Sequence, residues 1–272
     1  MAQVGIHIRL EKNLIDIIQK AIKLNLPHFQ TFAVSDNGAN LKFNPEEVAS
    51  YLELRRKYFK NLYLHSSYWV NLARENPRGY RTFLRELQVA KQLEFTHFII
   101  HPGAANPLQE PEQALRILAN NLNKACETHP DIILLLENTA HGGNNIGSDL
   151  INFKQLIPLL KFPDKIKFCI DTSHAHAYGY DLIDTESQNK FIALLEECIS
   201  ISNIDLIHLN DTSEKLGSKI DRHLAPGEGR IGREPLQRFI QHPSLKHIPV
   251  ILELPKAELT DEAKIITEIS SW

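Results

Sequence analysis

Short apolar runs alternate along the chain with longer stretches in which apolar positions recur every three to four residues. Eight runs read as strands: 4–9 (VGIHIR), 29–34 (FQTFAV), 61–65 (NLYLH), 96–101 (THFIIH), 132–137 (IILLLE), 166–171 (IKFCID), 205–210 (DLIHLN) and 249–253 (PVILE). Over 13–24, Leu14, Ile17, Ile18, Ala21 and Ile22 make one apolar stripe, the spacing of a single helix face. Asn44 and Pro45 open 45–59 as N-cap and first helical residue. Further helices are predicted near 77–93, 111–128, 148–160, 186–201, 233–241 and 257–271. Strict alternation of this kind gives a parallel sheet with right-handed crossovers. Eight units favour closure, so the expectation is an α/β chain forming a single (β/α)8 barrel over residues 1–272. No G-x-G-x-x-G or P-loop pattern follows any strand, which weakens a nucleotide-binding reading.

Composition agrees with a barrel and narrows its setting. At 43% hydrophobic and 23% charged, the chain can bury a large core and still be soluble. No run nears the roughly 18 apolar residues of a membrane span, and MAQVGIHIRL lacks a basic and apolar leader. Cys126, Cys169 and Cys198 form no CxxC pair, which suggests reduced thiols, with Cys169 packing inside its strand. The expectation is a cytoplasmic monomer with no membrane partner. A formal charge of −3 leaves nucleic-acid binding open, since a basic patch would have to be local.

The chemistry concentrates where the strands end. Glu137, Asp171, His208 and Glu253 close or nearly close four successive apolar runs, and His65 and His101 close two earlier ones. A barrel builds its active site from strand C-terminal ends and the loops after them. His174 lies three residues beyond Asp171, and Asp221 and His223 share the loop GSKIDRHLAPGEGRIG after the seventh run. In D-R-H, side chains two apart on extended backbone face the same way and can reach one ion. A lone histidine at a strand end is most often a capping or core residue, and D-R-H alone is most often a solvated loop. Together they make five histidines, two aspartates and two glutamates aimed at one face. Imidazole plus carboxylate without thiolate suits zinc, manganese or iron, and nine such groups are too many for one ion.

The segments HPGAAN, LLENTAHGGNNIG, CIDTSHAHAYGYDL and HLNDTSEKLGSKIDRHLAPGEGRIG resemble the signature segments of the endonuclease IV family of apurinic/apyrimidinic endonucleases. The resemblance is dense from about residue 62 to residue 255. It implies a (β/α)8 barrel with about three zinc ions, in which manganese or iron could substitute. It further implies that His65, His101 and Glu137 hold one ion and that Glu137 bridges to a second held by Asp171, His208 and Glu253. His174, Asp221 and His223 would hold the third. The implied activity is hydrolysis of double-stranded DNA 5′ to abasic or damaged sites, leaving a 3′-hydroxyl and a 5′-deoxyribose phosphate, with Glu137 as the catalytic residue.

The chain also departs from that pattern. No Gly-Gly pair follows the first strand, and the stretch after the second, SDNGANLKF, has neither the Arg nor the Trp of a lesion-probing loop. Ser66 and Ser213 stand where the family tends to carry Asp and Lys. The remaining candidates for DNA contact are Lys215, Lys219, Arg222, Arg230 and Arg233, with Tyr68 and Trp69 able to stack on a sugar or base. Two rivals stay open: a single-metal sugar isomerase or epimerase using Glu137, Asp171, His208 and Glu253, and a non-catalytic damaged-DNA-binding protein. The first has no need of His65, His101, His174, Asp221 and His223.

Overall fold

A computed structural model describes residues 2–10, 13–32, 43–255 and 258–272. Eight parallel strands run through it: β1 (Val4–Ile6), β2 (Gln30–Phe32), β3 (Tyr63–His65), β4 (His97–Ile100), β5 (Ile133–Glu137), β6 (Ile166–Asp171), β7 (Ile204–His208) and β8 (Val250–Leu252). The helices between them are α1 (Leu14–Lys23), α2 (Pro45–Tyr58), α3 (Pro77–Gln92), α4 (Pro111–Thr128), α5 (Ile151–Leu156), α6 (Thr172–Tyr178), α7 (Thr185–Ile199), α8 (Arg233–Gln241) and α9 (Leu259–Ser270). From β2 to β8 each strand pairs with its sequence neighbour, and β1 pairs with β8 through Val4–Val250 and Ile6–Leu252. The remaining seam is drawn together by a parallel bridge between His7 and Gln30, where Ile8 N–H donates to Gln30 O at 2.8 Å. The expected (β/α)8 barrel is therefore the fold. No helix among the described residues is long and apolar enough to cross a membrane.

Period-two alternation explains how the barrel aims its polar groups. Tyr63, Ile99, Leu135, Cys169, Leu206 and Ile251 pack on one another in a fully buried cluster inside the barrel. Two residues further along each strand direction stand His65, His101, Glu137, Asp171, His208 and Glu253. Residues two apart on a strand share a face. Six inward positions thus form an apolar floor, and the next six form a polar layer upon it. The larger core lies outside the barrel wall, where helix faces meet the outward residues such as Phe98, Leu134, Leu136 and Phe168.

Two elements differ from the expectation. The helix predicted over 148–160 is α5 followed by a 3-10 turn at Ile157–Leu159, because Pro158 has no N–H to continue an α-helical ladder. The segment after Asp171, where the sequence pattern predicts no helix, folds into α6. Asp171 caps it by accepting from His174 N at 2.8 Å, so the same carboxylate starts the helix and faces the barrel mouth.

Candidate metal centre

Glu137 is the hub of the polar layer. It is 0% exposed, and four imidazoles surround it. Its Oε2 lies 3.0 Å from His65 Nε2 and 2.9 Å from His101 Nε2, while Oε1 lies 2.9 Å from His208 Nδ1 and 3.4 Å from His174 Nδ1. Burial alone would raise this carboxyl, yet His208 and His101 hold it well below the usual range. The two oxygens therefore face different partners, one toward β3 and β4, the other toward β6 and β7.

The nine sequence-predicted positions come together as three overlapping groups. His65, His101 and Glu137 bring ligand atoms within 4.8 Å of one another, as do Glu137, Asp171, His208 and Glu253, and as do Asp171, His174 and His223. Asp221 joins the last group, its Oδ1 3.2 Å from both His174 Nε2 and His223 Nε2. Burial would raise Asp221, but His174 and His223 hold it low; the same balance at Glu253 brings its carboxyl to about 2. Among the described residues, every ion pair of these four carboxylates is with a histidine. Buried carboxylates this dense are costly unless protons or cations sit among them.

The histidines are pre-oriented for cations. His65 Nδ1 donates to Ser66 O at 2.8 Å, and His174 Nδ1 donates to Asn138 O at 2.8 Å. His208 Nε2 donates to Gln30 Oε1 at 2.7 Å. In His65 and His208 the nitrogen held by that bond points away from Glu137, and in His174 it leaves Nε2 facing Asp221 and His223. Each ring thus keeps one nitrogen directed at carboxylates, where a proton or a cation is favoured. His174 Nε2 and His223 Nε2 face each other at 3.3 Å, a separation that suits a shared proton or cation. The residues therefore fit more than one divalent ion. Cys169 Sγ reaches the Glu137–His208 group, but burial pushes its thiol up to about 12, and it belongs to the floor.

Other residues near the cluster had no signal of their own in the sequence. Gln30 Nε2 donates to Glu253 Oε1 (2.7 Å) and to His7 Nδ1 (2.9 Å), consistent with a neutral His7 whose burial lowers it to about 3. Asn210 Nδ2 donates to Asp171 Oδ2 (2.7 Å) and Glu253 Oε2 (3.1 Å). Asp211, fully buried, accepts from the N–H groups of Thr212, Gly227, Gly229, Ile231 and Gly232 at 2.8–3.1 Å. It thereby fastens the start and end of the loop that carries Asp221 and His223. A Cβ on Gly229 would meet Asp211 Oδ1 at 2.4 Å, so only glycine allows that approach. His176 is buried, and among the described residues its Nδ1 has no hydrogen-bond partner.

Of the residues expected to contact DNA, Tyr68, Trp69 and Arg222 line the cavities at this mouth, and the others are engaged differently. Tyr68 is 82% exposed, its ring 6.5 Å from that of His101, and Trp69 beside it is 69% exposed. Arg222 pairs with Glu214 at 3.2 Å, and Arg230 Nε donates to Ser213 O at 2.6 Å. Lys219 reaches Tyr178 O and lies over the Tyr178 ring. Arg233 pairs with Glu268 at 2.9 Å and sits over Trp272. Lys215 is exposed. Residues 33–42, most of the divergent loop after β2, lie outside the described residues, as do Glu11 and Lys12 in the loop after β1.

Comparison with known proteins places this geometry. Residues 18–272 match the family described as xylose isomerase-like TIM barrels. A probable endonuclease 4 from Thermosipho africanus is 32% identical over 264 residues, covering 94% of this chain and 93% of the relative. A probable endonuclease 4 from Nitrosopumilus maritimus is 28% identical and covers 99% of both chains. Among solved structures, endonuclease IV from Thermus thermophilus superposes with a TM-score of 0.85 at 27% identity, covering 99% of each chain. A D-tagatose 3-epimerase-like protein, at 19% identity and a TM-score of 0.73, shares the fold. With a family match over nearly its whole length and relatives that carry this name from end to end, the chain belongs to the endonuclease IV-like family of AP endonucleases, within the xylose isomerase-like TIM barrels.

Proposed function

We propose that the protein is a metal-dependent endodeoxyribonuclease that hydrolyses the phosphodiester 5′ to abasic sites in double-stranded DNA, leaving a 3′-hydroxyl and a 5′-deoxyribose phosphate. The observation that carries this reading is the excess of ligands: His174, Asp221 and His223 gather beside the Glu137 group, which already suffices for one ion. His65, His101 and Glu137 would hold one zinc, Asp171, His208 and Glu253 with Glu137 a second, and His174, Asp221 and His223 a third. Manganese or iron are the alternatives that this donor set admits. Bound divalent ions supply Lewis acidity, a water acidic enough to react near neutral pH, and charge to offset the phosphoryl oxygens.

The chain's own residues provide the rest. Glu137 faces two ligand sets with different oxygens, so it can hold them at a fixed separation. Ser66 O, Asn138 O and Gln30 Oε1 keep three imidazoles from turning away. Tyr68, exposed at the mouth, offers a face for stacking, and an abasic nucleotide is cheaper to extrude than an intact one. Lys215, Lys219, Arg222, Arg230 and Arg233 remain proposals for phosphate contact from the opposite side.

Two measurements together test the reading: metal content per chain, and cleavage of a duplex with one abasic site against the undamaged duplex. About three ions with lesion-dependent cleavage is the expected result. One ion with no cleavage would overturn it in favour of a sugar isomerase or epimerase. Full metal content and lesion binding without cleavage would leave a damaged-DNA-binding protein.

A further inference from the structure

A groove of about 640 Å³ runs outward from the metal centre. His65, His101 and Asp221 line its inner end, and Arg74, Arg78, Arg81 and Arg85 line its outer wall. The arginines come from the β3–α3 loop and the first turns of α3, which Asn76 starts by accepting from Gly79 N at 3.1 Å. Arg78, Arg81 and Arg85 are spaced three and four residues apart, so they share one face of the helix. The opposite face is buried through Phe83, Leu87 and Ala90, so helix packing fixes which way the arginines point.

All four arginines are exposed, and among the described residues none has a recorded carboxylate partner. Arg85 donates to Arg81 O and Thr82 Oγ1, at 3.3 and 3.2 Å. Elsewhere on the surface the pattern differs: Arg56 pairs with Glu94, Arg222 with Glu214 and Arg233 with Glu268. The nearest carboxylate on the helix itself, Glu86, is turned inward, where it accepts from Ser67 N and Ser67 Oγ at 3.0 and 2.5 Å. Four guanidiniums on one wall, none paired with a carboxylate among the described residues, repel each other and gain from an extended anion.

We propose that this wall binds the backbone phosphates of a nucleic-acid strand leading away from the scissile position, a contact set separate from the basic residues around β7. The proposal rests on the nuclease reading for the identity of the inner end. Length sets the ligand class. From Arg78 to Arg85 the helix rises about 10 Å, which spans about three phosphates of one strand at roughly 3.4 Å of axial rise each. A single small phosphate ligand would use one guanidinium fork, whereas a backbone uses the row.

The test compares the wild-type protein with R78Q/R81Q/R85Q and R78E/R81E/R85E, all metal-loaded and checked for equal metal content. Binding of a fluorescent abasic duplex is measured by anisotropy across a series of salt concentrations. Neutralising the row should weaken binding about tenfold or more at moderate salt, and lower the magnitude of the log K against log salt slope by about 2–3. Charge reversal should weaken binding further. Unchanged affinity and slope in both variants would overturn the proposal. Failure of the wild type to cleave the abasic duplex would instead sink the nuclease reading, while the slopes would still report on the groove.

Discussion

Gln30 Oε1 accepts the His208 Nε2 proton at 2.7 Å, and that single contact decides which nitrogen of His208 faces the metal centre. The Gln30 amide cannot flip without losing its donation to Glu253 Oε1, so one side chain on β2 fixes the ligands of β7 and β8 together. A residue that orients a metal ligand typically contributes 10- to 100-fold in metal affinity. Gln30→Leu should therefore weaken one class of metal site by about one to two orders of magnitude in chelator competition, with the fold retained. Wild-type affinity in that variant would show that His208 and Glu253 are held without the amide.

Glu137 carries a larger share. Because its two oxygens face separate ligand sets, Glu137→Gln would remove the proposed bridge as well as a charge. Cleavage should fall by on the order of a thousandfold or more, about 4 kcal/mol of transition-state stabilisation. A variant with full metal content and more than about a tenth of wild-type rate would refute the bridging role.

How legible each part was follows from what holds it in place. The barrel and the ligand layer are local: an apolar run of alternating faces states both its strand and its inward residues, so Leu135 announces Glu137 and Leu206 announces His208. Helix α6 was hidden because its seven residues are too few to show a period, although Asp171 as cap was a usable signal. Gln30 and Asn210 were hidden for another reason, since an amide in a strand or just past its end gains meaning only from what lies across the barrel. The arginine row was visible as the polar face of an amphipathic helix. Only the placement of α3 beside His65 and His101 separates a groove wall from an ordinary solvated face.

Asp211 ties the loop of residues 212–232 to the strand end through five backbone N–H groups, so it acts on Asp221 and His223 from a distance. An asparagine in its place offers one acceptor where the carboxylate offers two. Asp211→Asn should lower bound metal by about one ion per chain, as should His223→Ala, which removes a ligand outright. The two are separable by limited proteolysis: the loop should become cleavable in Asp211→Asn and stay protected in His223→Ala. Unchanged metal in both variants would remove this loop from the metal centre.

A pH-dependent contribution to stability lies away from the metal centre. His28 sits beneath the barrel floor, 3% exposed, packed against Gly5 and the Tyr63 ring, with Nε2 donating to Val250 O at 2.9 Å. Burial lowers its pKa from 6.5 to about 4, against the smaller upward pull of the Val250 hydrogen bond. Above pH 6.5 the ring is neutral in both the folded and the unfolded chain, and its contribution is constant. Between pH 6.5 and about 4 the unfolded chain binds a proton that the folded chain refuses, so stability falls with falling pH. From pH 7.5 to 5 this one residue should remove about 2 kcal/mol. Glutamine keeps a donor for Val250 O and has nothing to titrate. His28→Gln should therefore lose about 2 kcal/mol less than the wild type over that interval, in denaturant unfolding at matched metal content. Equal losses in the two proteins would mean that His28 accepts its proton in place, and that the space beneath the floor opens to water.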